Sequence, residues 1–183
     1  MSRLAQLRRY SARLMLALTP LVWHPVAVAQ VQAPESELKA AIIANMLLFV
    51  EWPVQRTSSN QQLTICYLDE NPVANALAQL DGKSVKGKSL RVMQTTPEKA
   101  SSCHAIYLSP NSVPSLPRIS ATTPDPLPIL LIGDAPGYIR RGIMINLEAQ
   151  SGRIIFDINL KTMQAANLNV SSKALRLARL VIE

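Results

Sequence analysis

The sequence predicts a single α/β domain: a mixed β-sheet of about five to six strands, helices on both faces, and a C-terminal β-hairpin followed by helices. Three observations carry this. The front half alternates β-rich apolar runs with helical patterns, giving strand–helix–strand. Residues 143–159 alternate with period two on either side of Ser151-Gly152, the mark of a hairpin. Residues 30–183 have the length of one domain able to bury its own core.

Residues 1–29 are set aside because they read as a signal peptide. Arg3, Arg8, Arg9 and Arg13 form a positive segment, Leu14 to Val22 an apolar one, and Ala27-Val28-Ala29 a small-residue cleavage site before Gln30. Pro20 and Pro25 suit that role better than a spanning helix. The expected protein is therefore exported by a cleaved leader. The formal net charge of +7 includes four arginines from the leader, which holds no acid, so residues 30–183 carry +3. That mild excess in an exported chain excludes nucleic acid as the expected partner.

The first helix of the remaining chain opens at Pro34-Glu35, with Glu35 and Glu37 in the turn where the helix dipole favours acids. Leu38, Ile42, Met46 and Phe49 form its apolar stripe, and the helix is expected to end at Glu51-Trp52-Pro53, since proline disfavours helix in the residue before it. Gln55 to Gln62 reads as a polar linker. Leu63 to Leu68 is a first strand. Asn71 then caps a helix that has Pro72 at its first position and stops at Asp81-Gly82. Leu90 to Met93 and Ala105 to Leu108 are further strands. The basic loop Lys83 to Lys88 lacks a phosphate-loop pattern and precedes a strand, so it is a solvated turn. Residues 110–128 contain six prolines and form an irregular connection with at most a short helix. Pro128 to Ile132 is a strand, followed by the loop Gly133-Asp134-Ala135-Pro136-Gly137. After the hairpin, residues 171–181 take helical spacing, with a serine cap and Lys173, Arg176 and Arg179 in one basic stripe on an otherwise apolar helix.

Cys66 and Cys103 are an even pair in an exported chain, which favours a disulfide. Enclosing 36 residues, it would add about 4 kcal/mol of stability by chain entropy. A zinc site would need carboxylates at matching spacing, and none appears. The one histidine beyond the leader, His104, adjoins Cys103 on a strand, where neighbouring side chains point to opposite faces; this is a poor nucleophile–base pair. There is no G-x-S-x-G elbow. These residues point away from an enzyme and call for no cofactor. Two features remain as ligand-binding candidates: Asp134, in a loop following a strand's carboxyl end, where α/β sheets hold ligands, and Trp52, whose ordinary role would be a core anchor. Arg140, Arg141, Lys173, Arg176 and Arg179 are candidates for partner contact, against the plainer reading of a solvated basic face.

Several separated motifs resemble one family. Glu37-Leu38-Lys39-Ala40-Ala41-Ile42-Ile43-Ala44-Asn45-Met46-Leu47-Leu48-Phe49-Val50-Glu51-Trp52-Pro53 is similar to the opening signature of the YfiR family. Leu63-Thr64-Ile65-Cys66, Cys103-His104-Ala105-Ile106-Tyr107, Gly133-Asp134-Ala135-Pro136-Gly137-Tyr138, Phe156-Asp157-Ile158-Asn159-Leu160 and Ser171 to Arg179 continue the match in order. The resemblance implies a non-catalytic periplasmic regulator. Its expected partner is the periplasmic sensor domain of an inner-membrane diguanylate cyclase, which it would inhibit, thereby controlling cyclic-di-GMP and biofilm formation. It further implies an outer-membrane peptidoglycan-binding lipoprotein as a second partner, a homodimer, and a disulfide between Cys66 and Cys103. The chain departs from the best known member in holding one cysteine pair, without the second, C-terminal one. The alternative from a different class is a periplasmic small-molecule-binding module acting on another receptor such as a histidine kinase, sensing its ligand through the Asp134 loop and Trp52. A hydrolase dependent on His104 is a third.

Overall fold

The computed structural model describes residues 33–53, 62–85, 87–122 and 128–183. Residues 1–29, which read as a leader, and most of the Gln55–Gln62 linker lie outside them. Helix α1 (Glu35–Met46) comes first, followed by β1 (Val50–Glu51), β2 (Gln62–Tyr67), α2 (Pro72–Ala78), β3 (Ser84–Val85) and β4 (Lys88–Gln94). A 3-10 turn (Pro97–Ser102) leads to β5 (Ala105–Leu108), a second (Val113–Ser115) to α3 (Leu116–Thr122), and then comes β6 (Leu130–Gly133). A third 3-10 turn (Tyr138–Arg141) precedes β7 (Ile145–Gln150), β8 (Arg153–Asn159), α4 (Leu160–Ala165), β9 (Asn169–Val170), α5 (Ser172–Leu177) and β10 (Leu180–Ile182).

Eight strands form one mixed sheet in the order β10-β8-β7-β6-β5-β2-β4-β3, and β1 pairs with β9 in a separate ribbon. The five strands β7, β6, β5, β2 and β4 run parallel. β8 returns antiparallel to β7 and β10 lies parallel to β8. All four residues of β5 are buried, as expected for a parallel strand covered on both faces. One face carries Ile65, Ala105 and Tyr107 in a core shared with α1, α2, α4 and Val50. The other carries Cys66, Ile106 and Leu108 beneath Ala100, Val113 and Ile119. The α/β fold with helices on both faces is thus as predicted, and two short edge strands, β3 and β10, enlarge the sheet to eight.

The hairpin turns at Ser151 (φ 50°) and Gly152 (φ 74°), both left-handed, the backbone that matches the twist of a two-residue β-turn. Two local expectations differ. The first helix stops at Met46 rather than at Glu51, because Val50 and Glu51 pair with Val170 and Asn169. The closing helix stops at Leu177, after which Leu180–Ile182 join β8 as a strand. Of that helix only Ala174 is buried, and Leu177 is 62% exposed, so it is not the enveloped apolar helix its composition suggests. Tertiary pairing with β8 outweighs local helical spacing here.

Candidate functional site

The strand order reverses at β2: the chain moves from β2 to β4 on one side, then crosses back to β5 on the other. Such a switch point opens a crevice at the carboxyl ends of the two strands that diverge there. A cleft of about 510 Å³ occupies this place. Its wall comes from the loops after three parallel strands and from the start of α1. Asn71 and Pro72 follow β2, Ser109 to Asn111 follow β5, Asp134 follows β6, and Glu35 and Ser36 open α1; Tyr107 and Val73 complete it.

Each loop is held by its own hydrogen bonds. Asn71 Oδ1 accepts from the Val73 and Ala74 N–H groups at 3.0 Å each, capping α2, while its Nδ2 donates to the Asp69 carbonyl at 3.0 Å. Ser109 Oγ lies 2.8 Å from both Asp69 carboxylate oxygens and accepts from the Asn111 and Ser112 N–H groups at 3.2 Å. The loops after β2 and β5 are therefore tied to each other through Asp69 and Ser109. Below them Tyr107 is 1% exposed, its hydroxyl 3.5 Å from Asn71 Oδ1. Burial foremost, then the Asp134 and Asp69 carboxylates, hold its phenol far above the usual tyrosine range.

Asp134 sits in the wall with its side chain 7% exposed. Its Oδ2 takes a hydrogen bond from Lys39 Nζ at 3.1 Å, and the same ammonium reaches Glu35 Oε1 at 2.8 Å. Lys39 lies on the inner side of α1 with 9% of its side chain exposed. Burial is the largest single effect on it and would lower its pKa. The hydrogen bond to Glu35 and the charge and hydrogen bond of Asp134 together outweigh that, and its pKa is raised. Asp134 Oδ1 is buried, and the Tyr107 hydroxyl is the donor within reach of the Asp134 carboxylate.

The residues singled out from sequence are dispersed. Trp52 and Asp134 lie at opposite ends of the parallel strands. Trp52 Nε1 donates to the His104 carbonyl at 3.2 Å, and its ring meets the imidazole edge-on at 6.1 Å, just before β5 begins. Asp134 follows the last residue of β6. The two do not form one site. His104 Nδ1 accepts from the Thr64 N–H at 3.1 Å, joining the starts of two strands. Cys66 and Cys103 are disulfide-bonded, on the sheet face opposite Tyr107. Among the basic candidates, Arg140 and Arg176 are exposed, Arg141 stands over the Tyr138 ring and Lys173 over that of Phe49. Arg179 lies beyond the helix, so no single helical stripe exists. Its guanidinium donates to Asp157, with Nε 2.9 Å from Oδ1, and to Glu148 at 2.9 Å, and these bonds raise its pKa further. Asp157 is 2% exposed, so Arg179 serves as the counter-charge of a buried carboxylate.

Sequence reading overlooked Lys39, Asp69, Tyr107 and Ser109. The available signal was positional: each of Asp69, Ser109 and Asp134 directly follows or nearly follows a strand that proved parallel.

Among the described residues no helix is long and apolar enough to cross a membrane. No curated protein matches the chain in sequence. Among solved structures, a conserved domain protein from Vibrio cholerae O1 biovar El Tor str. N16961 is similar at TM-score 0.50 and 14% identity. An ABC domain in complex with L-Trp from Streptococcus pneumonia is similar at TM-score 0.50 and 12% identity. Each alignment covers 80% of this chain and only 60% of the other, and at such identities the likeness is one of fold. The family comparison reaches further: the YfiR/HmsC-like family matches residues 36–179. That span runs from the first turn of α1 to the arginine that neutralises Asp157, and the chain belongs to the YfiR/HmsC-like family of periplasmic regulators.

Proposed function

We propose that this chain, after export and removal of residues 1–29, binds the periplasmic sensor domain of an inner-membrane diguanylate cyclase and holds the enzyme off. The observation that carries this reading is the family match over residues 36–179. The regulator acts by occupying its partner, as a dimer, and is itself drawn away by an outer-membrane lipoprotein that binds peptidoglycan. Contact falls to the basic groups that remain exposed and outside ion pairs with Asp157 and Glu148: Arg140, Arg141, Lys173 and Arg176. Arg179 leaves this set because Asp157 and Glu148 already engage it.

Deleting the gene should raise cyclic-di-GMP and biofilm, with both restored by the wild-type gene. The purified protein should capture the cyclase's periplasmic domain, and Arg140→Glu together with Arg176→Glu should weaken that capture. Unchanged cyclic-di-GMP in the deletion, with no cyclase retained by the purified protein, would refute the reading.

A further inference from the structure

The eight-stranded sheet has two edges, and they are built differently. At one end β3 is two residues long and is flanked in sequence by Lys83, Lys86 and Lys88, the kind of charge that keeps a strand edge from pairing with another chain. At the other end β10 reads Leu180-Val181-Ile182, with no charge, proline or glycine. Among the described residues the large apolar side chains that stand exposed are Met93, Leu177 and Leu180, and two of these three lie within four residues at the β10 edge. The backbone there is open as well. The Asn159 N–H donates to the Met144 carbonyl, so the backbone groups of Asp157 and Asn159 turn towards β7, and by alternation those of Ile158 turn towards β10. Ile158 stands opposite Val181 in a parallel pair, where its N–H and C=O engage the residues on either side, Leu180 and Ile182. The N–H and C=O of Val181 therefore face outward, on the side where no strand follows among the described residues.

We propose that the β10 edge pairs with the same edge of a second copy of this chain, antiparallel, about a two-fold axis at Val181. A residue that donates and accepts on one open side is complementary to itself. Val181 of each copy gives its N–H to the carbonyl of the other, and the open groups at the middle of both strands are satisfied together. In that register Leu180 stands across from the partner's Ile182, so apolar cross-strand pairs flank the axis on both sides. The exposed Leu180 gains a neighbour, and the two sheets continue as one. An extended segment of another protein would find the same open groups; the self-matching register is what selects a second copy. A strand of three residues makes a small interface, so the dimer forms and separates with concentration. The inference deepens the dimer of the reading above, on which it rests for the dimer's purpose but not for its surface.

Sedimentation velocity of the purified protein, from micromolar to millimolar concentration, should show a monomer–dimer equilibrium. Val181→Pro removes the outward N–H and no bond to β8, at a place where an edge strand accepts proline. It should weaken the dimer at least roughly tenfold, the effect of losing two hydrogen bonds across the axis. Val181→Cys provides a second test, because across the axis the two Cα atoms would lie about 5.5 Å apart, within reach of a disulfide. The native cysteines are bridged to each other and do not compete. Under mild oxidation Val181→Cys should form a covalent dimer at least roughly tenfold faster than Leu177→Cys, whose position is more exposed but lies outside the strand. A wild type that stays monomeric throughout, or a Val181→Cys dimer that forms no faster than that of Leu177→Cys, would overturn the proposal. A dimer as tight in Val181→Pro as in wild type would overturn this surface while leaving the regulator and its dimer standing.

Discussion

Replacing Lys39 by methionine keeps most of the aliphatic stem and deletes the ammonium, which makes it a direct test of how the cleft wall is held. The contact with Asp134 spans 3.1 Å between side chains 9% and 7% exposed. At that separation the attraction is about 5 kcal/mol with an effective dielectric constant of roughly 20, and much of it offsets the cost of desolvating both ions. Removal of one partner leaves the other charge buried, which costs about 3–5 kcal/mol. The contact with the more exposed Glu35 adds only about 0.3–0.5 kcal/mol. The expected loss for Lys39→Met is about 3 kcal/mol, read as a lower urea midpoint at unchanged slope and a melting temperature lower by roughly 6–12 °C. The double variant Lys39→Met/Asp134→Asn should be less destabilised than Lys39→Met alone, because the stranded charge is gone. Since the Lys39 pKa is raised in the fold, its contribution is fully present below the ordinary lysine value of 10.5 and is lost as pH rises through the folded value. The difference between wild type and Lys39→Met should therefore shrink in strong alkali. A single variant within about 0.5 kcal/mol of wild type at neutral pH, or a double variant no better than the single, would refute this reasoning.

Tyr107, held neutral by burial first and then by Asp134 and Asp69, stabilises the fold fully below pH 10, its ordinary value, and progressively less above it. Each pH unit beyond that should cost about 1.4 kcal/mol, and Tyr107→Phe should flatten this alkaline limb in urea titrations while costing little at pH 7. Replacing Cys66 and Cys103 by alanine opens a loop of sequence separation 37 and should lower stability by about 4 kcal/mol, measured against the oxidised wild type by urea titration. At Gly133 an added methyl would lie 3.2 Å from Asn146 Oδ1 and Tyr138 Cδ2 and 3.3 Å from Ile143 Cγ2. Gly133→Ala should cost about 1–3 kcal/mol by overpacking, visible as a lower melting temperature.

The fold was readable where a local signal and the tertiary structure agree. The alternation around Ser151-Gly152 became a hairpin, Asn71 with Pro72 became a helix cap, and an even pair of cysteines became a bridge. It was unreadable where the determining partner is distant. Leu180–Ile182 carry no alternation that distinguishes a strand from the end of a helix; β8 makes them a strand. Arg179 reads as one of several exposed cations until Asp157, 22 residues earlier, is seen buried beneath it. The cleft depends on strand order. Asp69, Ser109 and Asp134 are ordinary loop residues in the sequence, and they become neighbours because β5 crosses to the far side of β2. Nothing in the sequence separates the two ligand candidates, Trp52 and Asp134; the direction of the strands puts Trp52 beside His104, at the end away from Asp134.

The bridge between Cys66 and Cys103 also has a mechanical meaning. Because it short-circuits 37 residue steps, an oxidised molecule pulled from its ends keeps α2, β3, β4 and the following 3-10 turn off the load path even after the sheet has given way. The reduced molecule, stretched in the same way, would extend further by about 120–130 Å at full length. A protein working between two membranes would thus remain a looped object under tension, with the β2–β5 junction that shapes the cleft among the last parts to be drawn apart.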